Sequence, residues 1–364
     1  MKFLSSFSTK KKIVMAVLLV IVISVGGTYL YIRNSVFVPK VTADTTDTSQ
    51  EVNYQVQNGV TNILLIGTDG RTLDEQSRSD SIIIATIDNN TKKIKLSSIV
   101  RDTYVEIKGH GNNKINAAFA FGGADLLMDT IQRNFNVKLD KYVIINFWGF
   151  EGLVDSIGGL DIDVKDTEVA EINKFIGETD TVKSPSLTVG GVQHLDGQQS
   201  LAYARIRHVG NGVYERDSRQ RTVLTLLVEK LKDTSFIQYP KVLAKLLPCF
   251  KTNIEPTTII NYAYTVANFK PITIDQLEMP LAQLSDGRIY NSSWVLLMDK
   301  TQNGKVLNNF IFKDKKPIES DYSLSQFKTV LNTYLVAEKK ANPTLNQNDP
   351  ALKKEPVASD HTIR

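Results

Sequence analysis

The sequence predicts an α/β fold in which helices flank a mixed central β-sheet, and two patterns predict it. Short, β-branched apolar runs alternate along the chain with longer stretches whose apolar residues recur every three or four positions. With 42% hydrophobic residues among 364, the chain also has enough apolar side chain to bury a large core. Strand-like and helix-like segments in alternation are the mark of layered α/β packing.

Each element has its own signal. Residues 62–67 (NILLIG), 81–88 (SIIIATID) and 93–100 (KIKLSSIV) are short, apolar and β-branched, and predict strands. Asp88, Asn89, Asn90 and Thr91 between the last two supply hairpin chemistry. In 123–135, Leu126, Leu127, Met128, Ile131 and Phe135 form a helical stripe that opens after two glycines. Residues 142–147 (YVIINF) and 160–164 return to strand. Helices are expected over 197–206 and 215–232, the second burying Val223, Leu224, Leu226, Leu227 and Leu231. A helix over 257–269, a strand over 293–298 and a helix over 323–337 follow.

The two ends differ from this core. Residues 13–32 are twenty positions without a charge, and such a helix rises ~30 Å, enough to cross a bilayer. Tyr29 and Tyr31 stand at one end, where aromatic rings favour the membrane interface. Lys2, Lys10, Lys11 and Lys12 precede this segment, whereas only Arg33 and Lys40 follow closely. The positive-inside bias therefore expects 1–12 in the cytoplasm, 13–32 as a single uncleaved transmembrane helix, and the rest outside. Residues 33–59 read as a polar stalk, 60–235 as the core domain, 236–337 as its C-terminal part, and 338–364 as a disordered tail. Cys249 is the lone cysteine, so no disulfide framework holds the domain.

Arginine placement carries the chemistry. Nine of twelve arginines fall between Arg71 and Arg221, against ten of thirty-one lysines. A solvated surface uses both residues alike, whereas a phosphate site favours the planar guanidinium fork, which gives two parallel hydrogen bonds and keeps its charge. Arg71 and Arg78 lie in the loop after the first strand, and Arg101 follows the third. Arg205 and Arg207 end one helix, and Arg216, Arg219 and Arg221 open the next, where backbone N–H groups favour anions. Surface ion pairing would account for any one of them, but not for four groups at element boundaries. Arg133 lies inside a helix and reads as ordinary surface. Asp69, Asp80 and Asp102 flank the same strands, and paired carboxylates beside a pyrophosphate are what Mg²⁺ requires. Asp69 and Asp80 would otherwise repel each other, so Asp80→Asn is expected to leave the ligand-free protein as stable or more so. Walker, nucleophile-elbow and zincin motifs are absent, and the four histidines lack metal-ligand spacing.

Six stretches resemble the LytR-CpsA-Psr family: NILLIGTDGR, RSDSIIIATID, LSSIVRDTYVEI, KINAAFAFGG, LDGQQSLAYARIR and YERDSRQRTVL, in the family's order over roughly 60–235. The resemblance implies transfer of an anionic glycopolymer, a teichoic acid or capsular polysaccharide, from an undecaprenyl-pyrophosphate carrier to a peptidoglycan sugar hydroxyl. It places the enzyme on the cell membrane of a Gram-positive envelope, with its catalytic domain outside. By position it makes Asp69 and Asp80 the carboxylates associated with Mg²⁺ (or Mn²⁺), with Arg78 and Arg101 beside them in the catalytic set. Arg78, Arg101, Arg205, Arg207, Arg216 and Gln220 match pyrophosphate ligands, and Lys114 and Arg219 are further contributors. The position three before Arg216, often acidic in the family, is Val213 here, and Asp217 is out of register.

Three rivals remain at this stage. A transcriptional regulator needs a basic face in contact with cytoplasmic DNA, yet only about a dozen residues are expected inside. A polyprenyl-pyrophosphate hydrolase would use the same ligands with water as acceptor. A non-catalytic envelope-binding module would not need paired aspartates beside the arginines.

Overall fold

In the central sheet, strand β1 (Val60–Thr68) lies between β2 (Ser79–Asp88) and β6 (Tyr142–Asn146), antiparallel to the first and parallel to the second. The structure is a computed structural model and describes residues 27, 29–38, 54–233 and 250–353, except 74, 181, 208, 211, 212, 345 and 348. Most of the expected transmembrane segment, much of the stalk, Cys249, His208 and His361 lie outside the described residues. Among the described residues no helix is long and apolar enough to cross a membrane.

The sheet has six strands in the order β10, β3, β2, β1, β6, β9, where β3 is Lys93–Ile99, β9 is Phe250–Thr252 and β10 is Thr273–Met279. Its central strands alternate by face. Leu64, Ile66, Ile82 and Ile84 pack into one cluster, and Ile63, Ile83 and Leu65 into another. That is why these strands read as unbroken apolar runs: both faces are buried, so no polar alternation is required. Helix α2 (Ala117–Phe135) and the helix Lys300–Lys313 cover the first face. Helix α6 (Val213–Asp233) and the helix Pro256–Ala267 cover the second through Leu224, Val228, Ile259, Tyr262 and Val266.

A satellite layer completes the domain. Helix α3 (Phe147–Ser156), the hairpin β7–β8 (Leu160–Val164, Gly191–Leu195), α4 (Asp166–Phe175) and α5 (Gly197–Arg205) share a core around Val154, Ile172 and Val223. Helix starts are set by caps: Asn146 accepts from the Gly149 amide at 2.9 Å, and Asp196 accepts from the Gln199 amide at 2.9 Å. Two further hairpins, β4–β5 (Tyr104–Ile107, Gly111–Lys114) and β11–β12 (Ser285–Tyr290, Ser293–Met298), lie outside the sheet.

Three boundaries differ from expectation. Helix α2 begins at Ala117, and the two glycines interrupt it rather than precede it, with Gly123 at φ 62° where a side chain would be strained. Residues 29–36 form a helix, α1, with Val36 buried and Phe37 bridged to Thr252, so the start of the expected stalk is packed on the domain. The last long helix, Leu324–Ala341, overruns the expected start of the tail at 338, because Glu338 is buried and accepts from the Asn291 amide at 3.2 Å.

Candidate functional site

Strand directions gather the chemistry at one end of the sheet. The C-terminal ends of β1, β3, β6 and β10 meet the start of β2: Thr68 pairs with Ser79 and with Asn146, and Ile99 pairs with Met279. Loops leaving that end hold Asp69, Arg101 and Asp102, and Asp80 is the second residue of β2, as expected where catalytic residues gather at one end of an α/β sheet. Gly67 lets β1 and β2 approach closely there, since a Cβ would sit 2.9 Å from that of Ser81. The last turn of α5 adds Arg205, with Arg207 just beyond, and the first turns of α6 add Arg216.

Asp80 is the hub. Arg101 Nη1 donates to its Oδ1, Arg207 Nη2 lies 3.5 Å from Oδ2, and Arg216 Nη2 lies 3.7 Å from Oδ2. Arg216 also donates to the Asp80 carbonyl. Against its own burial, the guanidinium groups of Arg216, Arg101 and Arg207 hold the Asp80 carboxyl well below the usual carboxylate range. Two of the arginines feel the reverse. Burial, then the positive neighbour Arg101, lowers the proton affinity of both Arg207 and Arg216, with Asp80 only partly offsetting. Arg216 is buried and its Nε finds no hydrogen-bond partner among the described residues. Positive charge is in surplus, so an anion entering here is stabilised without first removing a protein counter-ion from each guanidinium.

Beside the hub, Asp102 is buried and bridges Arg101 Nε at 3.5 Å and Lys114 Nζ, from β5, at 2.6 Å. Lys114 thus reaches the site through Asp102. Arg205 lies with its guanidinium carbon 4.6 Å from the Phe147 ring centroid and 4.9 Å from that of Phe175, and donates to Glu178. Arg78 is exposed on the loop between β1 and β2, and Gln220 is half-buried on α6. Arg219 is not brought to the hub. It is buried, donating to Glu168 at 2.8 Å and to the carbonyls of Ile206 and Val209 at 3.3 and 3.0 Å, and so ties α6 to α4 and to the end of α5. Phe119 is core, whereas Phe121 is exposed and stacks on His110 with centroids 4.4 Å apart.

A buried acid pair lies behind the arginines, and no spacing in the sequence points to it. Asp217 follows Arg216, its Oδ2 lacks a hydrogen-bond partner among the described residues, and burial pushes its carboxyl up to about 7. Burial likewise pushes Glu278, on β10, up to about 8. Between them Arg221 donates to Ser98, lies 3.3 Å from Gln276 Oε1 and 3.6 Å from Glu278 Oε2. Glu178, which occupies Arg205, was also missed, because nothing in sequence spacing links a loop glutamate to an arginine 27 positions on.

Asp69 and Asp80 can be tested as holders of a hard dication. The Asp69 residue is exposed, yet its carboxyl is raised by partial burial and then by the Asp80 charge, so the two carboxylates face one field. Among the described residues no group of three or more His, Cys, Asp or Glu side chains could cage a metal. Two carboxylates completed by phosphate oxygens and water is a donor set that Mg²⁺ accepts. The residues fit such an ion, and Asp80 would then be shared between it and the arginines.

Comparison with known proteins identifies the family. The model of the LytR_cpsA_psr family matches residues 27–311. The polyisoprenyl-teichoic acid–peptidoglycan teichoic acid transferase TagU of Enterococcus faecalis is 38% identical over 192 residues, 52% of this chain and 58% of that protein. The chain thus spans less than two thirds of TagU. The regulatory protein MsrR of Staphylococcus aureus is 31% identical over 269 residues, 72% of this chain and 78% of that one. Among solved structures, TagT bound to LIIa-WTA superposes with a TM-score of 0.58 at 25% identity, covering 73% of this chain and 98% of that one. A family match over 27–311, on a chain with the same mixed sheet, means that this protein belongs to the LytR_cpsA_psr family.

Proposed function

We propose that the protein is a phosphotransferase that moves an anionic glycopolymer, a teichoic acid or capsular polysaccharide, from an undecaprenyl-pyrophosphate carrier to a peptidoglycan hydroxyl. The carrying observation is the convergence of Arg101, Arg207 and Arg216 on the single carboxylate of Asp80. The name of TagU describes this class of transfer. The acceptor oxygen attacks the sugar-linked phosphorus, the P–O bond to the second phosphate breaks, and polyprenyl phosphate leaves with that electron pair. The hydroxyl proton passes to solvent or a nearby carboxylate, and a phosphodiester remains on the wall. Such a transfer depends on positioning and charge neutralisation, which guanidinium groups provide without a covalent nucleophile. Arg101, Arg207 and Arg216 bind the pyrophosphate and stabilise charge on the leaving group, and Asp80 keeps their forks aligned. Asp69 and Asp80 would hold Mg²⁺ or Mn²⁺, which when bound offsets charge on the phosphate oxygens. Residues 13–32 anchor the chain in the cell membrane with the catalytic domain outside, where a lipid donor and peptidoglycan both lie.

The test is transfer from a polyprenyl-pyrophosphate donor to peptidoglycan, with released and attached polymer measured separately. Arg101→Lys keeps the charge but loses the fork, and is expected to cost ~2.7–4 kcal/mol, on the order of 10²–10³ in rate. Lys174→Ala, which removes an ammonium on a 63% exposed side chain of α4, serves as control. Wild-type turnover in Arg101→Lys would show that the cluster is structural. Release without attachment would assign a hydrolase instead.

A further inference from the structure

The helix Pro256–Ala267 has an outer face that no described element covers. Its inner side, Ile259, Tyr262 and Val266, packs on the sheet. Ile260, Ala263, Tyr264 and Ala267 are exposed, and their i, i+3, i+4, i+7 spacing makes them one stripe. Ile260 is 66% and Tyr264 72% exposed. No charged residue occurs from Pro256 to Phe269, whereas a helix facing water normally carries charge on its outer side. Tyrosine on an apolar stripe suits a bilayer interface, where the ring sits at the headgroup level.

A second observation says which surface covers it. Helix α1 (29–36) continues the uncharged segment that begins at Ile13, and it is fastened at the start of the exposed helix. Arg33 Nη2 and Nε lie 3.1 and 3.2 Å from the Glu255 carboxylate, and Tyr29 OH donates to Glu255 at 3.4 Å. Glu255 is the residue that precedes Pro256 at the helix start. Leu30 and Tyr31 are themselves 55% and 66% exposed. The chain therefore leaves its apolar segment within one side chain of the start of the helix that carries the apolar stripe.

We propose that the helix Pro256–Ala267 lies in the interface of the membrane, with Ile260 and Tyr264 inserted among the lipids, and so fixes the catalytic domain against the bilayer. The reading rests on the anchor proposed for residues 13–32. The docked helix supplies a second contact that holds the domain close to its lipid-borne donor.

The experiment uses the full chain in lipid nanodiscs, in a Cys249→Ser background that removes the native thiol. Environment-sensitive fluorophores are placed at Ile260→Cys, Tyr264→Cys, Ala16→Cys in the anchor, and Val192→Cys, 73% exposed on β8. Spin-labelled phosphatidylcholine reports lipid contact, and iodide reports water. Lipid quenching with iodide protection at 16, 260 and 264, and the reverse at 192, is the expected result. Lipid quenching at 16 but iodide quenching at 260 and 264 overturns the docking while leaving the anchor intact. If neither quencher reaches 260 and 264, protein covers the stripe, either residues 234–249 or a second copy, and the docking is again overturned. No lipid quenching at 16 removes anchor and docking together.

Discussion

One carboxylate facing three guanidinium groups makes Asp80 a residue whose loss is felt before any substrate binds. Sequence reasoning saw two acidic side chains and expected Asp80→Asn to relieve repulsion. The structure reverses that sign, because Arg101, Arg207 and Arg216 outweigh Asp69 around it. Breaking a largely buried pair from one side leaves charge uncompensated, and Asp80→Asn is expected to destabilise the ligand-free protein by about 3 kcal/mol. Urea unfolding at neutral pH checks it; an unchanged midpoint would mean that the arginines repack around solvent. As Asp80 titrates well below its ordinary value, its contribution is present above about pH 4 and lost as pH falls further. Glu178 predicts the opposite sign for function. It holds Arg205 where an anion would otherwise bind, so Glu178→Gln should tighten binding of a polyprenyl pyrophosphate, read by titration calorimetry. Weaker binding would show that Glu178 holds Arg205 in its working position.

Between elements, α6 and β10 meet through Arg221 with Asp217 and Glu278 beside it, and both carboxyls are raised by burial. Each keeps a proton in the folded protein that the unfolded chain gives up near pH 4. Their stabilisation is therefore complete at low pH and lost as pH rises through about 7 for Asp217 and about 8 for Glu278. The variant Asp217→Asn with Glu278→Gln should have a flatter stability profile from pH 5 to 9 than the wild type, measured by thermal unfolding across that range. A profile of unchanged slope would place the titration elsewhere. The same pair shows where sequence becomes opaque. Strands β1 to β3 were legible because burial on both faces leaves an apolar run, and α6 because its apolar stripe repeats with the helix. β10 (TIDQLEM) was not, since an edge strand carrying site-facing polar residues has neither pattern. The positions of Arg101, Arg205, Arg207 and Arg216 at element ends were visible, whereas the diversion of Arg219 to Glu168 depends on α4, which had no strong signal.

Across the whole molecule, the segments on either side of 235 share one sheet. Both outer strands of the central sheet, β9 and β10, come from beyond it, and fully buried Lys95 on β3 is bonded to Asp88 and to the Ile311 carbonyl. A chain ending at 235 leaves β3 and β6 as bare edges, with Lys95 short of a partner. It is expected to aggregate where the full chain stays monodisperse, as size-exclusion chromatography with far-ultraviolet dichroism would show. A soluble, folded fragment would mean that the first 235 residues close their own sheet. The arrangement of the strands also sets a schedule for synthesis. β3 gains its second neighbour only when β10, about 180 residues downstream, arrives, and Arg221 on α6 meets Gln276 and Glu278 only then. A nascent chain that stalls before β10 therefore carries its arginine cluster on an unclosed sheet, with Arg221 unmet by its acidic partner.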